Sequence, residues 1–134
     1  MKKLIFIAVA AIMLCSCSTY KLSNTVWYNV TKGELENKEA NIITSLYFFE
    51  DNQMCFNTCI EKDSVMIVKP ITVAYGEYEY QGNINKGIKL NIKSTDLDGI
   101  EQTHLGIITK EGMLLSVSDS IARTFVKIKN VTLK

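Results

Sequence analysis

The stretch GIKLNIK, residues 87–93, decides the fold of this 134-residue chain. Its apolar residues alternate strictly with polar ones: Ile88, Leu90 and Ile92 against Lys89, Asn91 and Lys93. Because neighbouring side chains of a strand point to opposite faces, this period predicts a β-strand with one buried face. Turn-forming residues stand on both sides, at Gly82-Asn83 and Thr95–Gly99. The strand is therefore short and bounded by turns.

The same pattern of short strands and turns continues in both directions along the chain. Further strands are predicted at Thr25–Val30, Ile42–Phe49, Gln53–Ile60, Ser64–Val68 (ended by Pro70), Thr72–Gln81, Glu101–Thr109, Met113–Val117 and Ala122–Lys129. In the last of these, we expect Thr124, Val126 and Ile128 to face inward. The charged residues 31–41 are expected to form a loop or a single helical turn. Strands spaced about ten residues apart, with a turn signal at each break, are typical of an antiparallel meander, sandwich or barrel.

Closure of the sheet follows from the problem of its edges. An exposed strand edge is free to pair with other chains, and closing the sheet into a barrel removes the edge. We therefore predict an all-β fold in which an antiparallel up-and-down meander closes into a small barrel of eight or nine strands. A seven-residue strand is about 23 Å long at ~3.3 Å per residue. The interior of such a squat barrel would hold side chains or one small ligand.

The N-terminus has the features of an export signal. Lys2 and Lys3 precede the apolar run LIFIAVAAIML, residues 4–14, and a basic start with a short apolar segment is typical of secretion. At ~1.5 Å per residue, such a helix spans about half of a ~30 Å hydrocarbon core. The next residues, Leu14-Cys15-Ser16-Cys17, resemble the lipobox of bacterial lipoproteins. Cys17 fits the modified position, whereas Cys15 would place bulky Leu14 directly before the cleavage site.

The lipobox resemblance implies a domain organisation and a location. Residues 1–16 would be the signal peptide, Cys17 would carry a diacylglyceryl group and an acylated amine, residues 17–23 would form a tether, and residues 24–130 the barrel. Several acyl chains, at ~0.8 kcal/mol per buried methylene, give a stable membrane anchor. Between Cys17 and Glu34 there is no acidic residue, whereas surface-exported lipoproteins of Bacteroides-type bacteria tend to have acids there. We therefore expect the outer membrane, facing the periplasm; a plain secretory signal is the alternative.

Trp27 and Arg123 are the only tryptophan and the only arginine, and they lie in the first and last predicted strands. This arrangement resembles the lipocalins and their calycin relatives, in which an arginine from the end of the barrel packs across a tryptophan of a Gly-x-Trp motif. The resemblance implies that the two side chains close the barrel, with a guanidinium–indole contact worth ~0.5–2 kcal/mol. Thr25 stands where the motif has glycine. The alternative interpretation is that Trp27 is simply a core residue and Arg123 a solvated charge.

A second motif supports the same resemblance. Tyr75-Gly76-Glu77-Tyr78, followed by Ile88-Lys89-Leu90, is similar to the G-x-Y and I-x-L core of small lipocalin-like lipoproteins of Bacteroides-type bacteria. The resemblance covers about residues 22–129. It implies a lipocalin-like barrel with space for a ligand inside.

Five aromatic residues are expected to face the interior: Tyr28, Phe48, Phe56, Tyr78 and Tyr80. They could line a pocket for an apolar ligand, with tyrosine hydroxyls binding its polar end. They could equally fill the barrel, and the close packing of protein interiors favours this alternative.

The remaining chemistry-bearing residues predict little reactivity. Cys55 and Cys59 would lie ~13 Å apart on one strand, against a Cα separation of at most about 7 Å in a disulfide. A bridge would need a bulge or turn between them, so two separate thiols are favoured. His104, the only histidine, is expected on the polar side of its strand in solvent, and no metal site is predicted. Asp96–Gly99 is interpreted as a turn, not a calcium loop.

The chain contains no G-x-S-x-G elbow, P-loop or H-E-x-x-H motif, so we predict no enzymatic activity and no cofactor. Removing Lys2 and Lys3 from a chain of formal net charge +1 leaves a charge near −1, which gives no reason to expect nucleic acid. Our first hypothesis is a non-catalytic envelope lipoprotein whose lipocalin-like barrel binds a small hydrophobic ligand. The alternative is a solid-core interaction or inhibitor module that contacts another envelope protein.

Overall fold

The computed structural model describes residues 20–118 and 120–129. Within these ranges the secondary structure is entirely β, in eight strands: β1 (Thr25–Leu35), β2 (Lys38–Phe48), β3 (Gln53–Lys62), β4 (Val65–Asn83), β5 (Gly87–Asp96), β6 (Glu101–Thr109), β7 (Gly112–Ser118) and β8 (Ile121–Lys127). A search of the described residues for a helix able to cross a bilayer finds none. The predicted signal peptide, residues 1–16, and the predicted lipidation site Cys17 lie outside the described residues.

The eight strands form a closed antiparallel barrel in chain order. Each strand pairs with the next, and β8 pairs with β1 through Trp27 opposite Lys127 and Tyr28 opposite Val126. The Ile128 amide extends this seam by donating to the Val26 carbonyl at 2.8 Å. The predicted all-β, up-and-down barrel is confirmed.

The charged residues 31–41 form a long hairpin, and the prediction of a loop or helical turn is wrong. β1 and β2 pair without interruption as far as Leu35 opposite Lys38. Glu36 and Asn37 turn the chain with φ of 53° and 64°, the left-handed conformation that tight hairpins require at both central positions. The charged side chains here mark the solvent face of two paired strands.

β4 runs through Pro70, where we predicted a strand end. Thr58 pairs with Ile71 and Ile60 with Val68, so Lys69 and Pro70 together oppose a single residue of β3. This β-bulge accommodates a residue that has no amide hydrogen to donate to the ladder. The bulge lets one long strand replace two short ones.

The core contains the inward side chains of all eight strands. Those with at most 2% exposure include Leu46, Phe48, Met54, Ile88, Leu90, Ile92, Ile108, Met113, Leu115 and Phe125. The predicted inward face of β5 is confirmed. In β8 the predicted face is wrong: Phe125 is fully buried, while Val126 is 48% exposed. A shift of one residue exchanges the two faces of a strand, so Thr124 also faces outward.

The N-terminal segment Tyr20–Asn24 covers one end of the barrel, which we call the closed end. Leu22 is fully buried in the core, although residues 17–23 were expected to be a tether. The Leu22 amide donates to the Tyr80 hydroxyl at 3.4 Å, and the Asn24 amide donates to the Phe48 carbonyl at 2.7 Å. Because strands alternate in direction, the β2–β3, β4–β5 and β6–β7 turns also lie at this end. The opposite end, with the other turns, is the open end.

Candidate ligand-binding cavity

A cavity of about 270 Å³ lies inside the barrel towards the open end. Its apolar walls are formed by Phe56, Val73, Ala74, Ile100, Val117 and Phe125. Polar side chains also reach it, namely Thr44, Ser94, Asp96, Gln102, His104 and Arg123. At ~30 Å³ per water, the volume corresponds to roughly nine water molecules. We call this space the open-end cavity.

The cavity exists because large side chains are missing from neighbouring strands. On β1, the residues on the same inward face as buried Trp27 are Asn29, Thr31 and Gly33. On β2, Thr44 is paired with Asn29. Small and polar residues therefore occupy this part of the interior. Towards the closed end, the same strands contribute Trp27, Leu46 and Phe48, which fill the barrel.

The five predicted ligand-lining aromatic residues have different positions. Phe56 lines the open-end cavity. Phe48 and Tyr78 are buried against each other, with ring centroids 5.0 Å apart and the Tyr78 hydroxyl donating to the Phe49 carbonyl at 2.6 Å. Tyr80 is half-buried at the closed end, where its ring meets Tyr20. Thus only Phe56 contacts the cavity.

Tyr28 does not face the interior, contrary to our expectation. It follows Trp27, which belongs to the core cluster, and adjacent side chains of a strand point to opposite faces. Tyr28 is therefore on the outer surface, next to exposed Val126.

His104 is buried at the cavity wall, and the prediction that it is solvated is wrong. It is 5% exposed, and its ring lies 5.1 Å from that of Phe56. Its Nδ1 is 2.9 Å from the Ser116 carbonyl oxygen and its Nε2 is 3.0 Å from Ser94 Oγ. A carbonyl can only accept, so Nδ1 donates, and in the neutral ring Nε2 accepts the Ser94 hydroxyl. In the sequence, the signal for this inward position was that His104 lies on the same face of its strand as apolar Ile108.

Arg123 connects the last strand to the first at the cavity wall. Its Nη1 donates to Thr31 Oγ1 at 3.0 Å, and Thr31 Oγ1 donates to Asn29 Oδ1 at 3.0 Å. Asn29 Nδ2 then donates to the Thr124 carbonyl at 2.9 Å. Among the described residues, the ion pair within 4 Å joins Lys32 to Glu39 at 3.8 Å. No described carboxylate therefore pairs with Arg123.

Trp27 lies towards the closed end and is not brought to Arg123. Its Nε1 donates to Thr25 Oγ1 at 3.0 Å, and the Thr25 hydroxyl donates to the Leu22 carbonyl. Trp27 is paired with Lys127, four residues beyond Arg123, and a shift of four residues along a strand is ~13 Å. In place of the expected guanidinium–indole contact, the Arg123 guanidinium bonds to Thr31 of β1 and the Trp27 indole bonds to Thr25 of its own strand.

Cys55 and Cys59 are free thiols on β3. They pair with Tyr47 and Ile43 of β2, on the face opposite Phe56. Burial raises the pKa of both thiols, and the Glu61 carboxylate raises that of Cys59 further. Cys55 and Cys59 are therefore two separate thiols, the alternative that the sequence favoured over a disulfide. Residues 20–118 and 120–129 contain no group of three or more metal-ligating side chains.

Asp96 at the cavity rim forms a turn, as we predicted. Its Oδ1 accepts the amides of Asp98 and Ile100, both at 2.9 Å. These bonds hold Ile100 at the mouth of the cavity.

Comparison of the chain with protein-family models gives no match. Searches of the curated proteins and of the solved structures give no match either.

Proposed function

We propose that this chain is a non-catalytic, lipid-anchored protein of the cell envelope whose lipocalin-like barrel binds a small, largely apolar ligand in the open-end cavity. The observation that carries this proposal is the cavity itself, about 270 Å³ with a mostly apolar inner surface and six polar residues on its walls. Such a combination is typical of small-molecule sites. The anchor and the periplasmic side of the outer membrane come from the lipobox resemblance around Cys17.

The polar end of the ligand would carry a hydrogen-bond acceptor that meets Arg123. A guanidinium has five N–H donors, and one of them is used by Thr31. The Ser94 hydroxyl and both His104 nitrogens already have partners within the barrel. Arg123 is therefore the cavity group with the greatest capacity to bind an oxygen atom.

Binding fits the Ser94–His104 pair better than catalysis does. In serine hydrolases the base is oriented by a carboxylate, which stabilises the imidazolium formed when the serine attacks. Here Nδ1 of His104 meets the neutral carbonyl of Ser116, which offers weaker stabilisation of that charge. The pair instead holds two buried polar side chains in fixed positions at the cavity wall.

Native mass spectrometry of the gently purified protein would test the ligand proposal. We expect a stoichiometric small-molecule adduct, which Val117→Trp abolishes by filling the cavity. Leu114→Trp is the matched control, because Leu114 lies on the same strand, β7, but points outward and is 51% exposed. A bare mass together with no binding from a panel of apolar acids, alcohols and esters would overturn the proposal.

The anchor is tested separately by replacing Cys17. We expect the wild-type protein to fractionate with membranes and to gain the mass of a diacylglyceryl group and an acyl chain. Cys17→Ala should abolish both, while Cys15→Ala should leave both intact. A soluble wild-type protein without added lipid mass would reject the anchor but not the ligand site.

The alternative function, an interaction or inhibitor module, is favoured by an apolar band on the outer surface. Ile107 of β6 is paired with Leu114 of β7, and both are about half exposed. Leu105 beside them is 62% exposed, and Val30 and Val126 continue the band on β1 and β8 at 48% each. An apolar surface of this kind can bind another envelope protein. Cross-linking that depends on Leu114, in a protein without a bound ligand, would favour this alternative.

A further inference from the structure

The two ends of the barrel carry opposite charge. At the closed end the basic residues are Lys21, Lys86, Lys89, Lys110, Lys127 and Lys129, and they outnumber the acidic residues Glu50, Asp51, Glu77 and Glu111. Beside the open-end turns, acids predominate: they include Glu34, Glu36, Glu39, Asp63, Asp96, Asp98 and Glu101, against Lys32, Lys38 and Lys62. The field along the barrel axis therefore attracts anions to the closed end.

The closed-end lysines are grouped and have no acidic partner in the described chain. Lys110, Lys127 and Lys129 line one surface cleft together with Tyr20 and Ile84. Glu111 also lines this cleft, but the ion pair found within 4 Å among residues 20–118 and 120–129 is elsewhere. The three ammonium groups are therefore available to an external anion.

The position of the proposed anchor selects the anion. Tyr20 packs at the closed end, and Cys17 precedes it by three residues. Three Cα–Cα steps reach at most about 11 Å. If Cys17 is lipidated, as the proposed function requires, the closed end lies within about that distance of the bilayer surface, where phospholipid headgroups supply the negative charge.

We propose that the closed end is a membrane-docking surface, in which Lys110, Lys127 and Lys129 contact anionic phospholipid headgroups. The lipid anchor keeps the protein at the membrane, and the lysines fix its orientation. The open-end cavity then faces away from the bilayer into the aqueous compartment. This inference rests on the proposed lipidation of Cys17 and does not depend on the ligand.

The mature lipidated protein, reconstituted in vesicles, gives a direct test. Vesicles of phosphatidylcholine alone are compared with vesicles that contain about one third phosphatidylglycerol, and lysine acetylation is followed by peptide mass spectrometry. Each lysine near an anionic surface gains about fivefold in partition. We therefore expect Lys110, Lys127 and Lys129 to be acetylated at least about fivefold more slowly on the anionic vesicles. Added salt should remove this protection because it screens the attraction.

Lys32, Lys38 and Lys62 near the open end are the matched control and should react equally on both vesicles. The triple variant Lys110→Gln, Lys127→Gln, Lys129→Gln should expose Lys21 and Lys86 on anionic vesicles, whereas Lys32→Gln with Lys38→Gln should not. Equal protection on the two vesicles, protection of the open end, or protection that requires a co-purified protein would overturn the proposal. Protein that fails to float with any vesicle would instead reject the lipidation of Cys17.

Discussion

At the scale of single residues, Gly76 shows how closely the strands approach one another. A Cβ at this position would overlap the Lys93 carbonyl oxygen and lie 2.9 Å from the Ser94 Cα. Both are backbone atoms of the paired strand β5, so they cannot move without disturbing the ladder. This contact explains why glycine stands inside a sequence of tyrosines and glutamates.

We therefore expect Gly76→Ala to lower the free energy of unfolding by about 1–3 kcal/mol, the usual cost of overpacking. Gly33→Ala is the matched control. Its nearest contact is the flexible end of Ile42, at 2.8 Å, and its cost should stay below about 1 kcal/mol. Urea unfolding of both variants measures the difference. Equal losses would contradict the assigned backbone contact.

Two tyrosine hydroxyls make the barrel sensitive to alkaline pH. Burial, followed by Tyr80, raises the pKa of Tyr20 to about 12, and burial with Tyr80 and Glu50 raises the pKa of Tyr78 to about 12. Unfolded tyrosines ionise near pH ~10. The folded state favours the neutral form, so its stability is full below about pH 10 and falls between about pH 10 and 12.

Tyr78→Phe should make this alkaline fall in stability shallower. The variant loses the bond to the Phe49 carbonyl, so it should also be less stable at pH 7 by about 1 kcal/mol. Denaturant midpoints between pH 7 and 12 separate the two effects. A slope identical to that of the wild-type protein would show that Tyr78 does not ionise late.

At the scale of elements, the sequence predicts strands well where alternation has one interpretation. β5 is such a case, because its three apolar residues share one face. In β8 both faces contain apolar or β-branched residues, and burial of the single Phe125 ring decides between them. Periodicity alone takes no account of side-chain size, so it predicted that the face with Thr124 and Val126 is buried. The buried face of β8 could therefore be identified only from the tertiary packing.

The candidate site was predictable only in part for a related reason. Phe56 and Arg123 were singled out by residue type, and both line the open-end cavity. The cavity itself depends on small side chains from different strands, including Thr31 and Thr44, which meet only once the barrel closes. His104 was missed because apolar residues stand on both faces of β6: Ile108 shares the face of His104, but Leu105 and Ile107 lie on the other face.

The N-terminal segment also behaves as an element of the barrel, since Leu22 is fully buried. We expect Leu22→Ala to cost about 2–5 kcal/mol, as truncation of a buried leucine does. Leu97→Ala is the control, because Leu97 is 71% exposed in the β5–β6 turn, and it should change stability little. Urea unfolding of both variants measures the two losses of stability. A similar small loss in both variants would mean that Tyr20–Asn24 does not contribute to the core.

At the scale of the whole molecule, the seam between β1 and β8 is the weakest part of the closed sheet. Its ladder is limited to Trp27–Lys127 and Tyr28–Val126 with the flanking Ile128 amide bond. Towards the open end, side chains replace the backbone bonds between these strands. The closure of the barrel beside the cavity therefore depends on Arg123, Thr31 and Asn29.

Local opening should begin at this seam, because regions with few backbone hydrogen bonds exchange their amides first. Thr31→Val keeps the shape of the side chain but removes the acceptor of Arg123, and losing such a bond costs about 0.5–1.5 kcal/mol. We expect amide exchange monitored by mass spectrometry to accelerate in β8 and the second half of β1, with β5 unchanged. Thr103→Val, at an exposed position of β6, should leave the pattern intact. Uniform acceleration in every strand would show that closure is shared by the whole barrel and not carried by these side chains.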